Sequence, residues 1–385
     1  MNIREEVRRL EKEVTVIRRH LHKHPEIRFE VPMTRDYIVE KLLLFGFVEI
    51  DVELMENAVI AQLKVEDSKS SIGFRADMDA LSIIELNDID FKSENEYMHA
   101  CGHDGHMAAL LGLAKFLAKN KGKLKESITF IFQPAEEGPG GAEVLIENGL
   151  FKKYPMRAIF GTHVMGEVDE GVIATRSGAL MARNGEIRVH ISGKGTHGAT
   201  PQLGNDAIVA GSWFVTQLQS IVARNVSPLN SGVVTIGSFN GGTAENIIAS
   251  DVVMEGTMRS FDDETYELIK RRIYEIGKGM EISFGVKAKV EVIDYYLVVK
   301  NDNELFNTIK SALGETLHIV EPKMAAEDFS FYQKEVPGLF YFVGTKSETF
   351  NHHLHNANYN FDEKVLLNVI ETNLRILETM GVYYD

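Results

Sequence analysis

The chain has 385 residues, of which 44% are hydrophobic and 25% charged, and it carries a formal net charge of −15. This composition is ordinary for a globular protein, and the length leaves room for two hydrophobic cores. The acidic balance argues against nucleic acid or an anionic membrane as a main partner, since binding either needs clustered lysine and arginine.

The compartment is indicated by the cysteine content and by the absence of targeting patterns. A single cysteine excludes an internal disulfide, which fits a reducing environment. Residues 1–13 are highly charged and lack the apolar stretch of a signal peptide. The longest apolar segment, 107–118, is interrupted by Lys115 and is shorter than the about 20 residues of a membrane span. We therefore expect a cytoplasmic protein without a membrane partner.

The first half of the chain reads as helices followed by an alternation of strands and helices. Apolar residues at helical spacing over 1–24 predict a helix that Pro25 ends, and a second helix is predicted at 34–45, before Gly46. The strands predicted next are 58–65, 71–75, 128–132 and 158–160, and the helices are 107–119 and 142–147. This alternation predicts an α/β fold in which helices cover a mostly parallel sheet.

A different pattern follows residue 182. Its predicted strands are 186–192, 232–239, 251–259 and 286–293, and its predicted helices are 206–224 and 263–283. The order β-α-β-β-α-β is that of a ferredoxin-like unit. A helix at 304–313, a strand at 339–343 and a helix at 363–380 then resume the first pattern. We therefore predict one domain from residues 1–182 and 295–385, with an inserted α+β domain at 183–294.

The strongest chemical signal is the stretch Met98-His-Ala-Cys-Gly-His-Asp-Gly-His106. It contains the only cysteine, Cys101, two positions before His103. The intervening Gly102 allows a backbone bend that turns both side chains toward one point. A thiolate and an imidazole suit zinc or another first-row divalent metal. The alternative for this stretch alone is a buried free cysteine beside solvated histidines.

Further polar groups follow predicted strands, at the edge of the sheet where sites of open α/β folds gather. These groups are Asp77 with Asp79, Glu136 with Glu137, and His163. Adjacent side chains in extended backbone point in opposite directions, so one glutamate could bind a metal while the other reaches a metal-bound water. The alternative reading of each group is a solvated or acidic surface loop.

Two more histidine segments have candidate roles. His352, His353 and His355 lie between a predicted strand and the last helix, so at least one of them is a reasonable last ligand, unless all three are surface residues. His197 lies in Gly193-Lys-Gly-Thr-His-Gly-Ala-Thr-Pro201 of the inserted domain. It could donate to a carbonyl oxygen that becomes negative in the transition state, or it could be an ordinary turn histidine.

Together these segments resemble the M20 family of metallopeptidases and amidohydrolases, in the branch of aminoacylases, hippurate hydrolases and auxin-conjugate hydrolases. The resemblance runs along the whole chain and depends on the order of its motifs. These motifs are Leu21-His-Lys-His-Pro-Glu26, Arg75-Ala-Asp-Met-Asp-Ala-Leu81, the stretch 98–106, Gln133-Pro-Ala-Glu-Glu-Gly138, His197-Gly-Ala-Thr-Pro201, Glu327-Asp-Phe329 and Leu354-His-Asn356.

The resemblance implies a hydrolase with two divalent metal ions, zinc or manganese with cobalt or nickel also used in the branch. It also implies a catalytic domain, an inserted lid or dimerisation domain, and a homodimer. The family's metal ligands fall on Cys101, His103, Glu137, His163 and His355. Its general base falls on Glu136, its catalytic aspartate on Asp79, and its carbonyl-polarising histidine, supplied in many members by the neighbouring subunit, on His197. Asn246 and Arg259 fall where the family often contacts the substrate carboxylate or the oxyanion.

The expected activity is cleavage of the amide bond of N-acyl-L-amino acids, of acetyl or benzoyl type, to a carboxylic acid and a free amino acid. N-acetyl-diaminopimelate deacetylation and dipeptide hydrolysis are alternatives within the family. A metal-binding protein without catalysis is the alternative from another class. Ser82 and Ala249 replace prolines that are usual in the family, which bears on substrate preference more than on the chemistry.

Overall fold

The computed structural model describes residues 1–384 and divides into two compact units. The first unit contains Met1–Leu180, Lys300–Glu321 and Asp328–Asp385, and the second contains Met181–Val299 and Pro322–Glu327. The domain boundaries at residues 182/183 and 294/295 stay a prediction.

Eleven α-helices lie within residues 1–384. They are α1 (Glu5–Arg8), α2 (Glu11–Lys23), α3 (Pro32–Leu44), α4 (His103–Lys119), α5 (Gly141–Glu147), α6 (Leu150–Lys153), α7 (Ala207–Arg224), α8 (Asp263–Phe284), α9 (Asn303–Leu313), α10 (Phe329–Glu335) and α11 (Val365–Thr379). None of the helices in this described part of the chain has both the length and the apolar character needed to cross a membrane.

The strands are numbered in chain order. They are β1 (Glu49–Asp51), β2 (Val59–Leu63), β3 (Ser71–Asp77), β4 (Ser127–Gln133), β5 (Met156–Asp169), β6 (Ile173–Thr175), β7 (Gly178–Met181), β8 (Arg183–Ser192), β9 (Thr196–His197), β10 (Gly232–Gly241), β11 (Ile247–Ile248), β12 (Asp251–Ser260), β13 (Lys287–Asp294), β14 (Val299–Asn301), β15 (Leu317–Ile319) and β16 (Gly338–Lys346).

The first unit is built on an eight-stranded sheet in the order β1-β2-β4-β3-β5-β16-β6-β15. The central pairs β4–β3, β3–β5 and β5–β16 are parallel, whereas β1–β2 and β2–β4 at one side are antiparallel. All seven residues of β3 and of β4 are buried, as expected for strands covered on both faces. The predicted α/β fold with a mostly parallel sheet is confirmed.

Strand β5 is much longer than the segment 158–160 predicted for it. It runs through His163 to Asp169, because it pairs with β3 on one side and with β16 on the other. The sequence pattern stops early because Gly161, Thr162 and His163 break the apolar run. His163 therefore lies within a strand and does not follow one.

Helix α4 supplies one side of the core of this unit. Its buried residues come from every side of the helix, including Leu111, Ala114 and Leu117. It packs against α2, α11 and strand β3, and a helix that is apolar all round is expected only where it is enclosed. The N-terminus of α4 is thereby held close to the end of β3.

The second unit has a four-stranded antiparallel sheet in the order β10-β12-β8-β13, with α7 and α8 packed on it. Burial alternates along β8, so one face of the sheet meets the helices, while the alternate residues face away. The hydrophobic core between the helices and the sheet includes Val189, Phe214 and Ile273. The predicted ferredoxin-like order is confirmed.

Candidate metal centre

The stretch 98–106 turns sharply into α4. Gly102 has φ +86 and an ideal Cβ built on it would lie 2.3 Å from Val164 Cγ2, so glycine is required both for conformation and for space. Helix α4 begins directly after it, at His103, earlier than the predicted start at 107. Cys101 and His103 are both buried, so the reading of this stretch as a free cysteine beside solvated histidines is wrong for His103.

The side chains that the sequence singled out as ligands converge on Cys101. Its Sγ lies 3.4 Å from His163 Nε2 and 3.3 Å from His355 Nε2. His355 Nε2 lies 3.4 Å from Glu137 Oε1, which is 4.0 Å from His103 Nε2. The thiol belongs to two groups of possible ligand atoms, and within each group all atoms lie within 4.8 Å of one another. One group contains Cys101, His103 and His163, and the other contains Cys101, Glu137 and His355.

Two of the imidazoles are oriented by backbone carbonyls. His103 Nδ1 donates to Asp79 O over 2.8 Å, and His163 Nδ1 donates to Val164 O over 2.6 Å. Each bond places the proton on Nδ1 and leaves the Nε2 lone pair facing the cluster, the usual arrangement around a protein-bound metal. His103 Nε2 is buried without a hydrogen-bond partner among residues 1–384, which such a site would explain.

His106 belongs to the same stretch but has no free nitrogen. Its Nδ1 donates to Asp77 Oδ1 over 2.6 Å, and its Nε2 accepts the N–H of Val164 over 2.9 Å. Asp77 Oδ2 in turn accepts Arg75 Nη1 at 2.8 Å. Asp77 and His106 therefore hold the sheet edge together and leave the ligand role to the shared groups around Cys101.

The two adjacent glutamates lie in a turn after β4. Contrary to the expectation for extended backbone, both carboxylates reach the same side: Glu136 Oε2 is 3.9 Å and Glu137 Oε1 is 4.0 Å from His103 Nε2. The buried carboxylate of Asp79 sets this geometry, since it accepts the N–H of Glu136 at 2.9 Å and that of Glu137 at 3.2 Å. The reading of this segment as an acidic surface turn is wrong, because Glu136 is buried.

Burial and neighbouring carboxylates oppose ionisation of two groups of the cluster, Asp79 and Cys101. Burial, together with the charge of Glu137, raises the pKa of Asp79. Burial opposes ionisation of Glu137, but contact with His355 and the charge of His103 lower its pKa, and the same contact with Glu137 raises the pKa of His355. Burial and the charges of Glu137 and Glu136 raise the pKa of the Cys101 thiol. A cation would reverse this last effect, so the donor set fits a divalent metal.

A second set of buried charges connects the sheet edge to a distant segment. The guanidinium of Arg75, within β3, donates from Nε to Gln133 Oε1 over 2.8 Å and from Nη2 to Asp328 Oδ1 over 2.7 Å. Sequence reasoning gave Arg75 and Asp328 no role of their own. The signal was present, since an arginine between Phe74 and Ala76 of an apolar strand needs a buried acceptor.

A third buried network surrounds the start of α4. Asp104 Oδ2 accepts Arg18 Nε at 2.8 Å and is 2.7 Å from His22 Nδ1, whose Nε2 lies 3.0 Å from Glu85 Oε1. These contacts lower the pKa of Asp104 and, against the effect of burial, raise the pKa of His22. The network ties α2 to the residue that follows His103 and so helps to hold α4 in place.

The remaining predicted site residues lie in the second unit. His197 is exposed on β9, which pairs with β11, and Asn246 O accepts the N–H of Gly198 over 2.7 Å. Arg259 lies on β12, is half-buried and donates from Nη1 to Met324 O over 2.7 Å. No carboxylate within residues 1–384 pairs with its guanidinium, and desolvation lowers the pKa of Arg259.

Comparison with known families gives one model that covers most of the chain. Residues 73–379 match the model described as peptidase family M20/M25/M40. Curated relatives named N-acetyldiaminopimelate deacetylase are similar over nearly their full length. The protein from Bacillus subtilis strain 168 is 39% identical over 370 residues, 95% of this chain and 96% of the relative, and that from Halalkalibacterium halodurans is 36% identical over 369 residues, 94% and 98%.

Solved structures agree with this similarity. A candidate aminohydrolase from methicillin-resistant Staphylococcus aureus has a TM-score of 0.92 and 36% identity, with 98% of each chain covered. The YXEP protein of Bacillus subtilis, described as a dinuclear metal-binding peptidase of the M20 family, has a TM-score of 0.83 and 30% identity, covering 97% of this chain and 99% of that chain.

Because the pKa of the Cys101 thiol is raised, its thiolate fraction in metal-free protein should lie below that of a free cysteine at every pH. We expect alkylation by iodoacetamide, measured from pH 6 to 10 after treatment with a chelator, to rise with an inflection above that of the same chain in guanidinium. The single cysteine makes the labelling unambiguous. An inflection equal to or below that of the unfolded chain would contradict the assignment of a neutral buried thiol.

Proposed function

Since the chain belongs to peptidase family M20/M25/M40 and is a metal-dependent hydrolase of amide bonds, we propose that its substrates are N-acetylated amino acids, with N-acetyldiaminopimelate first among them. The observation that carries the proposal is the buried pair Glu136 and Glu137, both held by Asp79 beside His103. One carboxylate is placed for a metal and its neighbour for proton transfer. A protein that only stored metal would not need the second.

In this proposal two divalent ions are held by Cys101, His103, Glu137, His163 and His355. Two ions are favoured because the ligand atoms form two groups that share the thiol. A thiolate with imidazoles favours zinc, and manganese, cobalt or nickel remain compatible with the added carboxylate. When bound, such a pair lowers the pKa of a water and polarises a substrate carbonyl.

Glu136 is proposed as the general base and acid. Its carboxylate lies beside the ligand group, 3.9 Å from His103 Nε2, while its own N–H is fixed by Asp79. It takes the proton of the attacking water and delivers it to the nitrogen of the leaving amine. The products are a carboxylic acid and a free amino acid.

His197 is proposed to donate to the carbonyl oxygen as negative charge develops on it. Its Nδ1 accepts the N–H of Ala199 over 3.0 Å, so in the neutral ring the proton lies on Nε2, which is a donor directed away from that contact. Arg259 and Asn246 are proposed to bind the substrate carboxylate. The half-buried guanidinium of Arg259 has no carboxylate partner among the described residues, and a bidentate carboxylate suits it.

The most specific part of the proposal is the identity of the acyl group and of the amino acid in the substrate. Seven curated relatives, each 36–39% identical, carry the name N-acetyldiaminopimelate deacetylase, which favours an acetyl group on a substrate that bears further charges. The broader class of N-acetyl- and N-benzoyl-amino acids is the second candidate, and dipeptides are the third.

A panel of acyl compounds tests the substrate class. We expect protein loaded with Zn²⁺ or Mn²⁺ to release free amine from N-acetyl-amino acids, since Arg259 offers a cation to their carboxylate. The highest kcat/KM is expected for N-acetyldiaminopimelate, because the curated relatives are named for its deacetylation. N-benzoyl-amino acids and dipeptides complete the panel. A preference for either of these would replace the acetyl assignment, and no amine release by metal-loaded protein would contradict the proposal.

Replacing Glu136→Gln removes the proton carrier but keeps the size of the side chain. Metal content should stay at the wild-type value while kcat falls by about 10²–10⁴-fold, the usual range for a general base. Metal content is measured by elemental analysis and kcat by amine release. Glu143→Gln, the same change at an exposed position of α5, serves as the matched control. Wild-type kcat in Glu136→Gln would refute this role.

The protein is proposed to be a homodimer in which His197 acts on the site of the partner. Mixing Glu136→Gln with His197→Ala should then restore up to about one quarter of wild-type activity, because half of randomly exchanged dimers contain one site with both residues intact. Sedimentation would confirm the dimer. Confirmed exchange without recovered activity would show that His197 acts within its own subunit.

A further inference from the structure

The loop between β4 and α5, residues 134–140, carries the proposed general base Glu136 and the proposed metal ligand Glu137. Its middle is held by Asp79 through the N–H groups of Glu136 and Glu137. The loop is flanked by Gln133, the last residue of β4, and by Ala142, the second residue of α5, which we call the loop ends. Both ends donate to one oxygen: Gln133 Nε2 lies 2.6 Å and Ala142 N lies 3.0 Å from Asp328 Oδ2.

Asp328 is directed away from its own helix. It immediately precedes α10, a position where a carboxylate commonly caps the helix, yet its side chain makes no capping hydrogen bond there. The side chain is fully buried. Its second oxygen accepts Arg75 Nη2 at 2.7 Å, and Arg75 Nε donates to Gln133 Oε1 over 2.8 Å. The buried carboxylate of Asp328 thus joins the two ends of this loop by hydrogen bonds.

We infer that Asp328 is a positioning residue that closes the loop 134–140 and thereby sets where Glu136 and Glu137 stand. This inference rests on the proposed function for the role of Glu136. A carboxylate oxygen of Asp328 also lies within 4.8 Å of one from Glu136 and one from Glu327. The role inferred for Asp328 is nevertheless to act through the loop ends, and not on substrate or cation. A shift of about 1 Å in a catalytic group is enough to lower turnover strongly, so the effect of Asp328 should appear in kcat.

The sharpest variant is Asp328→Asn, since it keeps the shape of the side chain and leaves an oxygen for Arg75. The substitution replaces Oδ2, which accepts hydrogen bonds from Gln133 and Ala142, by an NH₂ group that cannot accept either hydrogen bond. Truncation of Arg75 would be less informative, because this guanidinium also binds Asp77. Glu371→Gln is the matched control: Glu371 is equally buried and bonded to Arg4 and Arg375, in contacts that do not include the loop.

Hydrogen exchange measured by mass spectrometry tests the loop directly, on full-length protein as purified and after metal removal. In Asp328→Asn we expect amides of residues 134–142 to exchange about tenfold faster or more, with β5 unchanged. Glu371→Gln should leave this segment at the wild-type rate. Wild-type exchange in the loop of Asp328→Asn, or a rise that is equal across the whole chain, would overturn the inference.

Turnover supplies the second measurement. At full metal content, kcat of Asp328→Asn should fall by about 10–100-fold with KM within twofold, while Glu371→Gln keeps the wild-type kcat. Adding Gln133→Glu to Asp328→Asn exchanges the amide and the carboxylate, restores one loop contact and should recover part of kcat. Faster loop exchange with unchanged kcat would overturn the inference. If the wild-type protein cleaves no panel compound, the proposed function fails, and the exchange measurement still decides whether Asp328 closes the loop.

Discussion

Strands β4, β3 and β5 are hydrogen-bonded side by side and in parallel. The register of this pairing determines which polar residues of neighbouring strands lie next to one another at the edge of the sheet. Asp77 at the end of β3 lies opposite Gln133 of β4, and Arg75 lies opposite Gly161 of β5. His163 lies two residues beyond Gly161 along β5. The acids after β3 and β4 and the imidazole of β5 therefore lie at one edge of the sheet. The first residue of α4, His103, lies at the same edge, with Cys101 two residues before it.

Much of this could be predicted from the sequence because the signals are local. Buried strands followed by acids predicted the sheet edge, and the bend at Gly102 predicted that Cys101 and His103 face one point. Partners far apart in the chain could not be predicted, since no local pattern encodes them: Arg75 and Asp328 are separated by 253 positions. The length of β5 was also missed, because pairing with two neighbouring strands overrides a weak local pattern.

Histidine roles show the same limit. His103 and His106 are three positions apart on α4 and look equivalent in sequence. Their hydrogen bonds distinguish them: one nitrogen of His103 is left without a hydrogen-bond partner within the described residues, whereas both nitrogens of His106 are engaged, by Asp77 and by Val164. Only the tertiary structure tells a ligand candidate from a residue that holds the frame. Burial and the carboxylates of Glu137 and Glu136 oppose ionisation of Cys101, so a cation bound at this thiol would also stabilise the first unit.

The five ligand candidates are not equally protected from water. The side chain of His355 is 53% exposed, and its backbone takes the left-handed conformation with φ +64. Cys101, His103 and His163 are almost completely enclosed. In the proposed two-metal site, a competing chelator in solution would meet the His355 side first, so the two cation positions would differ in kinetic lability. Trace metals in the surrounding medium would exchange at the outer position, and the inner position would keep the ion acquired earlier.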